Sequence, residues 1–364
     1  MNCTINQLIQ YLEELAPLSY QESFDNAGLL VGNRNAVLHK GLICLDITQS
    51  VIDEAIEKKA NLIISHHPFI FNPLKKITGS SLCENIIIEA IKNDIAIYAI
   101  HTNLDSIFQG VNGRFAEKLG LKNYRILKPI QGNLCKIVTF VPEKQVDEVR
   151  NALFSAGAGT IGNYDACSYN SEGYGTFRAN ENAHPFVGEV HKIHQEKEVR
   201  VEVMFPNFLT SKIATALIKT HPYEEPAYDI IALENTNPLV GSGMIGELEN
   251  AMEESEFLHY LKKNMQLSCI RHSRLRNRKI KTVAICGGSG AFLIGDAIRQ
   301  RADIFISSEF KHNHFIDFAD TLLLADIGHF ESEILTKHLL YDILIEKFSN
   351  FAVSENEQNP ISYF

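Results

Sequence analysis

Three clusters of histidine and carboxylate side chains each follow an apolar run that predicts a buried strand. The clusters are Ser65-His66-His67-Pro68 after NLIIS, His101-Thr-Asn-Leu-Asp105 after IAIYAI, and Gly328-His329-Phe-Glu-Ser-Glu333 after LLLADI. Open α/β sheets bind ligands at the carboxyl ends of their parallel strands, so we expect these side chains to converge. Imidazole nitrogens and carboxylate oxygens are typical ligands of divalent transition metals, and the pattern predicts a metal site.

The clusters offer more ligands than one metal ion needs. A catalytic zinc takes three protein ligands, whereas two ions bridged by a carboxylate would use them all. His329 and Glu333 are four residues apart and share one face of a helical turn. Each cluster alone has a structural alternative, such as a hydrogen-bonded histidine or a capping pair at a helix start. Adjacent His66 and His67 favour metal, because their four ring nitrogens all need partners.

Other polar motifs have weaker functional interpretations. Gly287–Gly290 follows a strand and is either a tight turn or an anion-binding loop. The basic run 271–281 is a solvated face or a patch for an anionic substrate. His312 and His314 are either pocket-facing or ordinary surface residues, and His221-Pro-Tyr-Glu-Glu-Pro is a structural turn or another metal cluster.

The elements around these motifs predict an α/β core. Thr4 caps a predicted helix over 5–15, and strands then alternate with helices as in a mostly parallel sheet covered on both faces. From about Pro129 the order becomes strand, helix, strand, strand, helix, strand, which is typical of a ferredoxin-like α+β domain. The first pattern returns after Gly241 and ends in a long helix predicted over 331–348.

This alternation divides the chain into a core interrupted by an insert. The predicted parts are residues 1–128 as the first half of the α/β core, 129–237 as the inserted domain, and 238–364 as the second half of the core. Three domains in tandem are the alternative. The length of 364 residues suits either arrangement.

Composition excludes several classes of partner. The net charge of −10 makes a nucleic acid or an anionic membrane surface an improbable partner. No apolar run approaches the roughly 20 residues that cross a bilayer, and the first residues lack the pattern of a signal peptide. The seven cysteines form no C-x-x-C pair and are expected to be reduced thiols. We therefore expect a cytoplasmic protein without a membrane partner.

The motifs SHHP, HTNLD and GHFESE, with FDNAGLLVG near the start, resemble those of the NIF-three-like dinuclear metal-centre proteins. This family is also catalogued as GTP cyclohydrolase I type-two homologues. The segments GAGTIGNYDACSYNSEGYGTFR and HPYEEPAYDI resemble the PII/CutA-like insert of its longer members. The resemblance implies a NIF-three-like core of two α/β halves with an inserted ferredoxin-like, PII/CutA-like α+β domain.

The resemblance also implies a site and an assembly. It implies two divalent ions per chain, zinc, iron or manganese, held by His66, His67, Asp105, His329 and Glu333. Glu333 is the implied bridge and His101 lines the pocket, while Glu331 is the alternative carboxylate in the last motif. Phe24 stands where many relatives have Trp, which should alter packing only. The implied assembly is a toroidal homohexamer built from trimers.

The implied activity is metal-dependent hydrolysis. The family name suggests opening of a purine nucleotide ring, with water activated by the two ions and no side chain assigned as catalytic. The substrate would be a small molecule, possibly a nucleotide. The alternative is a non-enzymatic metal-binding or regulatory protein whose PII-like insert is a sensor domain.

Overall fold

The computed structural model describes residues 3–363, and the chain divides into two compact units. The core unit consists of Met1–Pro129 and Pro238–Phe364, and the inserted unit is Ile130–Asn237. None of the helices within the described residues combines the length and the apolar character that crossing a bilayer requires.

The strands and helices are numbered along the chain. Strands β1 to β15 are Gly28–Val31, Gly41–Cys44, Leu62–Ser65, Ala96–Ala99, Lys122–Pro129, Leu134–Pro142, Tyr169–Arg178, Ile193–Pro206, Tyr228–Leu233, Gly241–Glu253, Arg271–His272, Lys279–Ser289, Ile304–Ser308, Leu323–Asp326 and Phe351–Val353. Helices α1 to α12 are Ile5–Leu15, Gln49–Glu57, Leu82–Lys92, Thr102–Asp105, Val111–Lys118, Val146–Ser155, Thr210–Thr220, Glu254–Asn264, Ile294–Arg299, His312–Asp317, His329–Glu333 and Leu335–Ile345.

The core unit contains two mixed sheets rather than one mostly parallel sheet. The first has the order β1-β4-β3-β2-β15, in which only β1 is antiparallel to its neighbour. The second has the order β11-β14-β13-β12-β10-β5, in which only β12, β13 and β14 are parallel to one another. Strands β2, β3, β4 and β14 are buried along their whole length, as expected where both faces of a parallel sheet are covered.

The first helix confirms its predicted bounds, and the last helix does not. The Thr4 hydroxyl accepts from the Gln7 N–H and the Gln7 side chain returns the bond, which completes a capping box for α1. The helix predicted over 331–348 begins earlier, at His329, because Gly328 turns the chain with a φ of +91°. It is divided at Ile334 and ends at Ile345, and the chain then turns to add β15 beside β2.

The inserted unit has the ferredoxin-like arrangement. Its chain order is β6-α6-β7-β8-α7-β9, and its antiparallel sheet has the order β7-β8-β6-β9. Apolar residues of α6 and α7, such as Leu153 and Leu217, pack on alternate residues of β6 and β8, such as Ile137 and Val201. Only one face of the sheet is therefore covered by helices.

The inserted unit interrupts the chain between two neighbouring strands of the core. Strands β5 and β10 pair in antiparallel fashion, with Pro129 opposite Gly241. The insert thus takes the place of a hairpin loop, and its two attachment points are adjacent in space.

Candidate metal centre

The three sequence clusters meet in one place within the core unit. His66 and His67 follow β3, His101 precedes α4, and Asp105 is the last residue of that helix. His329 and Glu333 lie in α11, directly after β14. Strand β14 belongs to the second sheet, so the site lies where the carboxyl ends of strands from two sheets meet, and not at one edge of a single sheet.

Glu333 lies at the centre of these side chains. Its Oε2 is 2.9 Å from His67 Nε2 and 3.1 Å from His329 Nε2. Its Oε1 is 4.0 Å from His66 Nε2, which is itself 3.6 Å from Asp105 Oδ1. Three groups could hold a metal ion, namely His66 with Asp105 and Glu333, His67 with His329 and Glu333, and His66 with His67 and His101.

The buried polar atoms of the site fit a metal. His66 is fully buried, and its Nδ1–H donates to the Ile100 carbonyl at 2.8 Å. That bond leaves the lone pair of Nε2 directed at the cluster. His66 Nε2 and Asp105 Oδ1 both lack a hydrogen-bond partner. Leaving buried polar atoms unsatisfied costs about 1–3 kcal/mol each, a cost that a bound cation would remove.

Carboxylates behind the site fix the other histidine rings. Each Nδ1–H donates to a carboxylate, which directs Nε2 of the same ring to the cluster. The pairs are His67 with Asp46 at 2.8 Å, His101 with Asp25 at 2.8 Å, and His329 with Glu309 at 3.0 Å.

The sequence analysis missed these three carboxylates as parts of the site. Asp46 follows the end of β2 and Glu309 follows the end of β13, the same kind of position that identified the histidines. The strand-end rule could therefore have found both. Asp25 lies in the FDNAG motif, which carried the resemblance but received no role.

Burial and charge set different protonation states for the histidines of the metal-free site. Burial lowers the pKa of His66 to about 3, so that ring is neutral. Burial also opposes protonation of His67, but its bonds to Asp46 and Glu333 raise the pKa to about 10. For His329, the bond to Glu333 likewise outweighs burial and raises the pKa to about 9.

The two central carboxylates shift in opposite directions. Burial and the negative Glu333 hold the pKa of Asp105 well above its ordinary value. Burial would raise the pKa of Glu333 as well, but its bonds to His329 and His67 lower it instead. Without metal, protons on two histidines therefore neutralise Glu333, and a metal ion would replace those protons.

Gly288 leaves the space that the Glu333 carboxylate occupies. A Cβ on Gly288 would lie 2.3 Å from Glu333 Oε1, and its φ of +63° also favours glycine. Glu331, the alternative carboxylate, belongs to none of the three donor groups and instead accepts a hydrogen bond from Asn359 at 2.8 Å.

The glycine-rich motif is neither a simple turn nor an open anion cradle. Strand β12 continues through Ser289, with a bulge, so the turn predicted over 287–290 is wrong for most of its length. Three of its N–H groups already donate within the protein, from Gly287 to Asn112, from Gly288 to Ser332 and from Gly290 to Ser307.

The remaining candidates lie outside the cluster. In the basic run, Arg271 pairs with Asp326, and the largely buried Arg276 binds backbone carbonyls, so part of the run is structural rather than a solvated face. His312 and His314 lie in α10 and do not line the cavity at the site.

A cavity of about 850 Å³ opens onto the cluster. Small-molecule sites in proteins commonly have this size. Aromatic side chains of Phe24, Phe71 and Phe292 line it and are each at least half exposed. Phe24, expected to matter for packing only, is 66% exposed on the cavity wall.

The chain is similar to known proteins over almost its whole length. The family profile described as Duf34/NIF3 (NGG1p interacting factor 3) matches residues 3–360. The chain is 38% identical over 367 residues to the GTP cyclohydrolase 1 type 2 homolog of Bacillus subtilis, covering 98% of each chain. It is 40% identical over 330 residues to the protein of the same name from Halalkalibacterium halodurans, covering 90% of this chain and 89% of that one.

A solved structure shows the same fold over the whole chain. The Bacillus cereus protein related to NIF3 is 35% identical, has a TM-score of 0.86 and is matched over 100% of both chains. The chain therefore belongs to the Duf34/NIF3 family.

Proposed function

We propose that this protein binds two divalent metal ions per chain and uses them to hydrolyse a small molecule. The observation that carries the proposal is the position of Glu333 between two donor groups. Its Oε1 lies toward His66 and its Oε2 lies toward His67 and His329. One carboxylate can thus bridge two ions, with His66 and Asp105 on one side and His67 and His329 on the other.

The donor set favours transition metals. Three imidazoles and two carboxylates suit zinc, iron or manganese. Two such ions, when bound, act as Lewis acids and lower the pKa of coordinated water. The chain itself supplies orientation, because Asp46 and Glu309 fix the ring planes of His67 and His329.

We propose a purine nucleotide as the substrate class. The support is the naming of the Bacillus subtilis relative as a GTP cyclohydrolase 1 type 2 homolog, together with a cavity large enough for a nucleotide. Phe24 and Phe71 offer ring faces on which a base can stack. His101, held by Asp25, projects into the same cavity and contacts the Phe71 ring at 5.9 Å between centroids.

We also propose that the chain assembles as a toroidal homohexamer built from trimers, as the family resemblance implies. Light scattering coupled to size-exclusion chromatography tests this separately from the metal centre. A monomer at all concentrations would contradict the assembly without affecting the site proposal.

The function is tested by loading the protein with zinc, iron(II) or manganese and assaying GTP, other nucleotides and phosphoesters. We expect up to two ions per chain by elemental analysis, and turnover that is lost on chelation. His221→Ala, outside the site, should match the parent protein in both measurements. Failure to bind metal after reconstitution would contradict the whole proposal. Metal binding without turnover of any substrate would favour the non-enzymatic metal-binding or regulatory alternative.

A further inference from the structure

A second cavity, of about 600 Å³, lies entirely within the inserted unit. Its floor is the sheet face opposite α6 and α7, where Phe140, Glu198 and Arg200 alternate with the core residues of β6 and β8. Its walls come from residues 179–186 and 223–227. Helices α6 and α7 of the inserted unit pack on the other face, so the two segments border a space that these helices do not fill.

Two glycines on β7 leave room on the floor. Gly173 and Gly175 point to the same face as Glu198, since Gly173 pairs with Glu198 across the strands. A Cβ on Gly175 would lie 2.2 Å from Glu198 Oε2, whereas a Cβ on Gly173 would meet nothing within 4 Å. A glycine inside a strand weakens the strand, and it often marks a place where a ligand or another part of the chain comes close to the backbone. Here Gly175 lets the carboxylate lie against the β7 backbone.

Glu198 is a buried acid with one oxygen left free. Its side chain lines the cavity although the residue is only 7% exposed. The Tyr223 hydroxyl donates to Oε1 at 2.7 Å, and no donor among residues 3–363 hydrogen-bonds to Oε2. A buried carboxylate is costly unless it is paired. Oε2 is therefore available to a cationic donor from outside the chain.

Arg200, the basic side chain among the described lining residues, is already engaged. Arg200 donates from Nε to Glu202 at 2.7 Å, and its guanidinium lies over the Phe140 ring. The other charged lining residues are acidic: Glu172 is offset by Lys197 at 3.2 Å, and Glu198, Glu224 and Glu225 remain. The cavity thus presents net negative charge and excludes an anionic ligand.

Aromatic rings cluster around Tyr223, the residue that binds the acid. Tyr223, which binds Glu198, lies 6.1 Å from Phe177 and 6.3 Å from Phe186, measured between ring centroids. Tyr174 also lines the cavity. Aromatic faces beside a desolvated carboxylate attract organic cations through the ring quadrupole as well as through the charge.

We propose that this cavity binds an organic cation, an amine or amidinium group on a planar apolar body. The cationic N–H groups donate to Glu198 Oε2, and the planar body packs against Tyr223 and Phe186. This site is independent of the metal centre, and it gives the inserted unit a ligand of its own.

Tryptamine is a suitable probe because the chain contains no tryptophan. Indole fluorescence, excited where tyrosine does not absorb, then reports only the probe. Tryptophol replaces the amine with a hydroxyl, and indole-3-acetate replaces it with a carboxylate. For the full-length protein we expect saturable tryptamine binding, about tenfold or more tighter than tryptophol, and no indole-3-acetate binding. Equal binding of all three, or no saturable tryptamine binding, would overturn the proposal.

Variants of two matched pairs locate the binding. Glu198→Gln should weaken tryptamine about ten- to hundredfold, the cost of losing a charge-assisted bond. Glu148→Gln should bind like the parent, because Glu148 lies in α6, on the other side of the sheet, and does not line the cavity. Gly175→Ala should weaken binding like Glu198→Gln by displacing the carboxylate, whereas Gly173→Ala should not.

Far-UV circular dichroism and the Tm verify that each variant is folded, and only folded variants are compared. Unchanged affinity in Glu198→Gln overturns the proposal even if tryptamine binds. A second result would also overturn the proposal: the parent does not bind tryptamine, and Glu198→Gln no longer self-associates. That result would assign the cavity to a second copy of the chain.

Discussion

Two regions of this chain combine a buried histidine with nearby carboxylates, and only one of them has the properties of a metal site. In the core unit, His66 lies against Asp105 and Glu333. In the inserted unit, His221 begins the segment HPYEEP, which contains two glutamates. Burial lowers the histidine pKa in both places. Composition and burial therefore do not separate the two regions.

The difference lies in which ring nitrogens already have partners. His221 Nε2 donates to the Phe140 carbonyl at 3.0 Å, and its Nδ1 accepts from the Tyr223 N–H at 3.1 Å. His66 Nε2 has no partner, and neither does Asp105 Oδ1. In this comparison, unsatisfied buried atoms within a group of converging donors separate the two regions, and the concentration of metal-binding residue types does not.

The largest expected effect is loss of metal from His67→Ala. His67 belongs to two of the donor groups, and its Nε2 is 2.9 Å from Glu333. Its removal should lower metal affinity by more than the roughly 10–100-fold that loss of an outer partner costs. Elemental analysis should find full occupancy in His221→Ala. Equal losses from the two variants would show that the regions do not differ as described.

A smaller effect is expected from the two glutamates of α11. Glu333→Gln should bind about one ion fewer per chain and lose any hydrolytic activity, because a single bridging carboxylate offsets repulsion between two dications. Glu331→Gln should keep both ions and full activity, since Glu331 binds Asn359 outside the cluster.

Metal analysis of both variants sharpens the assignment. If Glu331→Gln loses metal and Glu333→Gln does not, the bridging role belongs to the other residue. Loss of both ions from Glu333→Gln, with no stable intermediate of one ion, would contradict the separation into two donor groups.

The parts of the fold that depend on local sequence could be predicted. Thr4 and Pro17 mark the ends of α1, and the strand, helix, strand, strand, helix, strand order identified the inserted unit. Strands β5 and β10 were missed because they pair with each other across the insert, over more than 100 residues of chain. Strand β15 was missed for the same reason, since it joins β2 from the far end of the sequence.

The side chains that converge at the candidate site could be predicted from the sequence, and the hydrogen-bond partners of those side chains could not. A histidine after a buried strand is visible in the sequence, and so the convergence of His66, His101 and His329 follows from topology. Whether a given nitrogen is satisfied depends on three-dimensional neighbours, such as the Ile100 carbonyl for His66. The presence or absence of such a partner separates His66 from His221, and no local sequence pattern contains it.

Replacing a buried carboxylate whose hydrogen-bond partners all lie within the protein should lower stability and leave metal binding unchanged. Glu54, only 2% exposed, accepts from Lys58, Ser354 and two backbone N–H groups near the chain end. Burial opposes its ionisation, but these bonds lower its pKa to about 2. A depressed pKa stabilises the fold above the unfolded value of 4.5, and this stabilisation is lost as the pH falls through about 2.

Glu54→Gln should therefore lower the free energy of unfolding by about 3 kcal/mol at neutral pH, and the difference should shrink between about pH 4.5 and pH 2. Urea unfolding of chelator-treated protein measures this without interference from metal. Glu57→Gln, an exposed residue at the end of the same helix, should show no such dependence. A pH-independent difference for Glu54→Gln would mean that lost packing, and not the charge, causes the destabilisation.

The smallest effect on metal is expected from removing the inserted unit altogether. All the residues proposed to hold metal lie in the core unit, and the insert joins it between Pro129 and Pro238. Because Pro129 and Gly241 are paired neighbours, a short Gly/Ser linker in place of 130–237 should close β5 onto β10 as an ordinary hairpin. In the shortened chain, the linker follows Lys128 and Pro129 and precedes Pro238. This chain should fold and bind the same number of ions as the parent. Elemental analysis and thermal unfolding measure both properties.

Because a single poor linker could prevent folding, several junctions are needed. If every junction gives insoluble or metal-free protein, the metal centre depends on the insert, and the core region does not bind metal independently of the region around His221.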